Sequence, residues 1–124
     1  MLKEKVFIKK ISKDRIRKRI RKKINGTPEC PRVIVHKSNR YLYMQAVDDQ
    51  SGHILAAVTS KDKDFLSKHK NSKNVESSKA LGEVMAKKLM DKKVKKIVFD
   101  RGLFPYHGRV KAMAEGMRKG GLVF

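Results

Sequence analysis

RVIVHKSNRYLYMQAVDDQSGHILAAVTS, residues 32–60, holds three short runs of strand-forming residues separated by two turn signals. Arg32 to Lys37 is rich in β-branched side chains, whose stiff χ1 angles suit a pleated surface. Ser38-Asn39-Arg40 reads as a tight turn. Tyr41 to Val47 then alternates, with Leu42, Met44 and Ala46 on one face and Tyr41, Tyr43 and Gln45 on the other. Asp48-Asp49-Gln50-Ser51-Gly52 carries the residues of a second hairpin loop, and His53 to Ser60 supplies a third run. These residues predict an antiparallel meander with one face apolar enough to need a covering layer.

The rest of the chain supplies that layer. Residues 60–74 are polar and lysine-rich, with Phe65 and Leu66 as their large apolar pair, and read as a loop with at most one helical turn. A helix is predicted from about Asn74 to Asp91, with Leu81, Val84, Met85 and Leu89 on one side and an i,i+4 pair of Glu83 with Lys87 on another. Lys88 interrupts the apolar stripe. A short strand, Lys96 to Phe99, follows, then the loop Asp100 to Arg109, then a second helix from about Gly108. There Val110, Met113, Ala114 and Met117 recur at helical spacing, Lys111, Glu115 and Lys119 lie opposite, and Gly120-Gly121 ends the pattern. Three strands, a helix, a strand and a helix predict an α/β layered sandwich: a mixed sheet, made of the meander plus a parallel crossover strand, and two main helices. Gly82 and Gly116 sit inside helices, where each costs about 1 kcal/mol relative to alanine, so a close helix-to-sheet approach is expected there.

Asn25-Gly26-Thr27-Pro28 is a turn signal that divides a basic arm, residues 1–24, from a single domain, residues 25–124, whose regular structure begins near Pro31. The chain carries 32 Lys and Arg against 12 Asp and Glu, a net charge of +20. Residues 1–23 hold twelve of those cations and two acids, so half of the excess is concentrated in the arm. Solubility does not require that density, and an acidic partner, most simply nucleic acid, accounts for it. Isoleucines 8, 11, 16, 20 and 24 give the arm a thin apolar seam for a helix once its charges are neutralised. Free of a partner it is expected to be largely disordered. One cysteine, Cys30, makes no internal disulfide, and 124 residues suffice for a core that needs neither disulfide nor metal. No apolar run approaches membrane-spanning length and no secretory pattern opens the chain, so a cytoplasmic protein is expected.

Catalysis finds little support. The histidines, at 36, 53, 69 and 107, lie on different elements and show no metal-ligand spacing. Asp100 and His107 flank one loop as a possible acid-base couple, but no nucleophile and no second carboxylate accompany them. Asp100 is expected to pair with Arg101 or to cap the loop. Gly102 and Gly108 precede no GK[ST] and form no P-loop. The loop makes better sense as a gripping surface. Its glycines admit a sugar-phosphate chain, Arg101 and Arg109 suit phosphates or bases, and Phe104, Tyr106 and His107 offer faces for stacking. Phe104 is expected to be the residue that anchors the loop in the core. Tyr41 and Tyr43, beside Arg40, are either a second aromatic and cationic group or half-exposed packing residues. A basic membrane-surface protein and a small nuclease are the alternatives from other classes.

The run FDRGLFPYHGRVKAMAEGMRKGGLVF at residues 99–124 resembles the ending of the bacterial large-subunit ribosomal protein family conventionally numbered eighteen. RIRKRIRKKINGTPECPRVIVHKSNR is similar to that family's arginine-rich arm, turn and first strand, and YLYMQAVDD to its second strand. The resemblance runs from about Ile11 to Phe124, with departures at Cys30, Tyr41 and Met44 and a variable loop at 61–74. It implies a ribonuclease-H-like sandwich without the acidic catalytic set. It also implies a structural protein of the central protuberance that binds 5S rRNA, helps attach it to 23S rRNA and neighbours the ribosomal protein conventionally numbered five. No enzymatic activity, cofactor, metal, membrane or small-molecule substrate is implied. Carried onto this chain, the RNA contacts would be Arg15, Arg17, Lys18, Arg19, Arg21, Lys22 and Lys23 in the arm. The hairpin would add Arg32, His36, Ser38, Asn39, Arg40, Tyr41 and Tyr43, and the last loop Arg101, Tyr106, His107, Gly108 and Arg109.

Overall fold

The computed structural model describes residues 15–19, 24–38, 40–63, 65, 74–102 and 104–124. In chain order its elements are β1 (Arg32–Lys37), β2 (Leu42–Asp48), β3 (His53–Thr59), α1 (Val75–Asp91), β4 (Val98–Asp100) and α2 (Gly108–Lys119). The sheet runs β3-β2-β1-β4. The first three strands are antiparallel, and α1 carries the chain across so that β4 lies parallel to β1. The layered α/β arrangement with a mixed sheet is the one the residue pattern predicts.

Turn chemistry fixes the register. In the first hairpin Lys37 faces Leu42, and the Tyr41 amide donates to Ser38 Oγ at 3.1 Å while the Ser38 amide donates to the Tyr41 carbonyl at 2.9 Å. In the second, Asp48 accepts from the Gln50 amide at 3.0 Å and from the Ser51 hydroxyl at 2.6 Å. A one-residue slip would turn the whole alternating set outward, which the buried face forbids.

That face is the core. Val33, Val35, Leu42, Met44, Ala46, Ala56 and Val58 of the sheet are buried together with Leu81, Met85, Leu89, Val110, Met113 and Met117 of the helices. The opposite face, with Ile34, His36, Tyr43, Gln45 and Ala57, is half-buried or exposed and has no helix over it among the described residues. Phe65 is buried in the core too.

Four expectations change. Strand β4 begins two residues later than Lys96. Ile97 is buried, and Lys96 makes only a single parallel bridge, to Val123 of the C-terminal tail. Val84 is 40% exposed, so the packing stripe of α1 consists of Leu81, Met85 and Leu89 with Ser78, Gly82 and Ala86 beside it. Glu83 pairs across to Lys119 of α2 at 3.2 Å, not along its own helix to Lys87. Gly82 and Gly116 mark a close approach of helix to helix, not of helix to sheet. A Cβ at Gly82 would meet the Met113 carbonyl oxygen and one at Gly116 the Lys79 carbonyl oxygen.

The exposed edge, β3, is blunted from α1. Lys88 Nζ donates to the Ala57 carbonyl at 3.0 Å and Lys92 Nζ to the Leu55 carbonyl, so two ladder acceptors are occupied by ammonium groups.

Candidate nucleic-acid interface

Alternation along β1 sends Arg32, Ile34 and His36 to the uncovered face, opposite Val47, Gln45 and Tyr43 of β2. Arg32 is nevertheless only 5% exposed. Its Nε and Nη2 donate to the two carboxylate oxygens of Asp49 at 2.9 and 3.0 Å, and its Nη1 donates to Asp100 Oδ2 at 2.8 Å. These hydrogen bonds, Asp49's first and then Asp100's, raise the Arg32 pKa further above its ordinary value against the opposing cost of burial. The network extends at both ends. Asp49 Oδ2 also accepts from the Gly26 amide at 2.7 Å, and the Asp49 amide donates to the Gly26 carbonyl at 3.0 Å. Asp100 Oδ1 accepts from the Gly102 amide at 2.8 Å. Gly26 at the root of the arm and Gly102 in the last loop are thereby joined through two carboxylates and one guanidinium.

Two expectations are corrected by this network. Arg32, expected among the RNA contacts, is buried, with its fork filled by Asp49 and Asp100. Of the two roles expected for Asp100, capping the loop holds, through the Gly102 amide, whereas its ion pair is with Arg32 and not with Arg101, whose Nη1 donates instead to the Phe104 carbonyl at 2.8 Å. Both Asp100 carboxylate oxygens are thus engaged, Oδ2 by Arg32 and Oδ1 by the Gly102 amide. Asp49 escapes notice in the sequence because Asp48-Asp49 reads as turn chemistry, and Asp48 alone supplies that.

The last loop is shaped by its glycines. Gly102 has φ 62° and Gly108 φ 58°, and neither has a neighbour within 4 Å of the position a Cβ would take, so conformation and not space requires glycine there. His107 is the N-cap of α2 in extended backbone and makes no side-chain cap bond, and no acidic residue lies in the first turn. The amides opening α2 thus receive no side-chain cap from His107 and carry the positive end of the helix dipole. Phe104 is half-buried against the core cluster, edge-on to His36 with ring centroids 5.8 Å apart, and Lys37 Nζ lies 5.3 Å from its ring centre. Tyr106 is 40% exposed, meets Phe99 edge-on at 6.2 Å, and its hydroxyl accepts from Arg118 Nη1 at 3.1 Å. Arg101 and His107 are exposed, and Gly108 and Arg109 are half-buried.

On the hairpin, His36 and Tyr43 form an in-register pair with ring centroids 6.0 Å apart. Tyr41 is half-buried with Lys61 Nζ 5.7 Å from its ring centre, Arg40 is exposed, and Ser38 shapes the turn. Ile34, His36, Ser38, Tyr43 and Gln45 line a depression of about 460 Å³. Thus β1, β2 and the last loop bring His36, Tyr43 and Phe104 into one group, while Tyr106 belongs to a second with Phe99, Arg118 and Phe124. In the arm, residues 15–19 are helical and all exposed, Arg15, Arg17, Lys18 and Arg19 among them. Arg21, Lys22, Lys23 and Asn39 lie outside the described residues. Among the described residues no group of three His, Cys, Asp or Glu is placed to hold a metal ion, and no helix is long and apolar enough to cross a membrane.

Comparison with known proteins places this arrangement. The family model of ribosomal L18 of archaea, bacteria, mitochondria and chloroplasts matches residues 7–124. The large ribosomal subunit protein uL18 of Dictyoglomus turgidum is 54% identical over 106 residues, 86% of this chain and 87% of that one. Those of Thermotoga petrophila and Staphylococcus haemolyticus are 46% and 47% identical over 122 residues, 95% of this chain and 100% of theirs. With a match that takes in most of the arm, the whole meander, both helices and the last loop, the chain belongs to the ribosomal L18 family.

Proposed function

We propose that the protein is a structural component of the cytoplasmic large ribosomal subunit, binds 5S rRNA and helps attach it to 23S rRNA beside the ribosomal protein conventionally numbered five. The observation that carries this reading is family membership over residues 7–124 in a chain of net charge +20. In this reading residues 1–24 act as an arm that neutralises phosphates, and the domain of residues 25–124 grips the shape and unpaired bases of the RNA. Arg40, Arg101, Arg109 and the exposed cations of residues 15–19 supply charge. His36, Tyr41, Tyr43, Tyr106 and His107 supply ring faces, and the opening of α2 at Gly108 supplies backbone donors for a phosphate. Arg32 serves by holding Gly26 and Gly102 in one frame.

Crosslinking the protein to total cellular RNA and identifying the recovered species tests the reading. A dominant 5S rRNA band is expected. Recovery of messenger or transfer RNA in its place would overturn it.

A further inference from the structure

We infer that the depression between β1 and β2 is a pocket for one unpaired nucleobase, read by Gln45 and stacked on Tyr43. The inference rests on the RNA-binding reading and goes further by assigning a ligand class and two residue roles to the uncovered sheet face. Its walls are two in-register cross-strand pairs, Ile34 with Gln45 and His36 with Tyr43, closed at one end by Ser38. Strand alternation puts all four side chains on the face opposite α1 and α2, so the depression of about 460 Å³ faces away from the core.

The chemistry of the lining selects the ligand. Ile34 is half-buried and gives an apolar floor, and Tyr43, also half-buried, gives a ring face. The Gln45 amide is exposed, and neither it nor the Tyr43 hydroxyl makes a hydrogen bond among the described residues. A phosphate would want cations at the floor, and none of the five lining residues is a lysine or arginine. A flat heterocycle suits the site instead, because its π-face meets the tyrosine ring while an amide, donor and acceptor at once, pairs with its polar edge. Bases inside an A-form helix are stacked and paired, which leaves no π-face for the tyrosine, so the occupant is a base splayed out of a loop, bulge or end. The acids nearest in register, Asp100 opposite Ile34 and Asp49 beside it, are both turned onto the Arg32 guanidinium, which offsets one of their two charges.

The test uses the full-length protein and a 5S rRNA transcript, with dimethyl sulfate, kethoxal and a water-soluble carbodiimide together probing the base edges of all four unpaired nucleotides in the free and bound RNA. Wild-type protein is expected to protect the edge of one unpaired base that Gln45→Ala leaves reactive. Tyr43→Ala is expected to weaken binding roughly tenfold to a hundredfold without changing the slope of affinity against salt. Gln45 is exposed, so its truncation leaves the core intact even where Tyr43→Ala folds poorly. An identical footprint for wild type and Gln45→Ala on tightly bound 5S rRNA would overturn the pocket and leave the 5S reading standing. Wild-type protein binding the transcript no better than an unrelated RNA would overturn both.

Discussion

Arg32 on the first strand and Asp100 on the last, 68 residues apart in sequence, share a buried 2.8 Å hydrogen bond, and Asp49 fills the other side of the same guanidinium. Removing the cation leaves two buried or half-buried carboxylates without their partner. Arg32→Met is therefore expected to destabilise the fold by about 3–5 kcal/mol in urea unfolding. Asp49→Asn should cost less, since Asp100 still holds Nη1, and an Arg32/Asp49 double-mutant cycle should show clear coupling. Because the network raises the Arg32 pKa, the stability from that charge is complete below the ordinary arginine range and declines only above it. That contribution should be flat from neutral to mildly alkaline pH.

The crossing of α1 and α2 yields a second expectation with an unusual sign. In an open helix, glycine to alanine is stabilising by about 1 kcal/mol. At Gly82 and Gly116 the added methyl would meet a backbone carbonyl of the facing helix, so the helices must part. Gly82→Ala and Gly116→Ala are each expected to lower stability by about 1–3 kcal/mol in thermal or urea unfolding. Val84→Ala, at an exposed position of the same helix, should stay within about 0.5 kcal/mol of the parent.

The last loop should govern selectivity more than charge. Tyr106→Ala and Arg109→Ala are expected to narrow the affinity gap between 5S rRNA and a random RNA of equal length, measured by filter binding at one salt concentration. Tyr106→Phe removes the bond from Arg118 and keeps the ring, so it should retain most of the gap. Gly108→Ala places a methyl on left-handed backbone at a cost of about 1–2 kcal/mol, which should appear as lost stability even without RNA.

Local chemistry explains which parts of this molecule are legible from its residues. Alternation at Leu42, Met44 and Ala46 names the buried face, and Ser38 and Asp48 mark the two turns, because each signal lies within a few residues of what it specifies. Asn74 as the N-cap of α1 and Gly120-Gly121 beyond α2 are signals of the same short range. What escapes depends on long separation. Nothing near Arg32 announces that Asp49 and Asp100 fill its guanidinium, so in the sequence it passes for a surface cation. Gly82 and Gly116 each signal a close approach, but which layer they approach is fixed by the packing of α1 on α2. Val84 keeps the helical period of its neighbours and still faces solvent, since the stripe is set by where α2 lies. The aromatic group of His36, Tyr43 and Phe104 joins three separate segments, and Gln45 carries no signal of its own because an exposed strand amide is ordinary until its neighbours form a pocket.

The arm carries the remaining expectation. With about six to ten phosphates neutralised, 5S rRNA affinity should fall by about 10³ to 10⁵ between roughly 50 and 200 mM salt. Replacing Arg15, Arg17, Lys18 and Arg19 with glutamine in the full-length chain should flatten that slope by about 0.7–0.9 for each phosphate no longer neutralised. An unchanged slope would remove these residues from the interface.

The most direct measurement is the ratio of dissociation constants for 5S rRNA and an unrelated RNA of equal length, followed across that salt range with the full-length protein. If the arm supplies charge and the domain supplies selectivity, both affinities fall steeply while 5S rRNA stays preferred throughout. A ratio near one at every salt concentration would contradict the account, because it would mean that the protein reads phosphate charge alone.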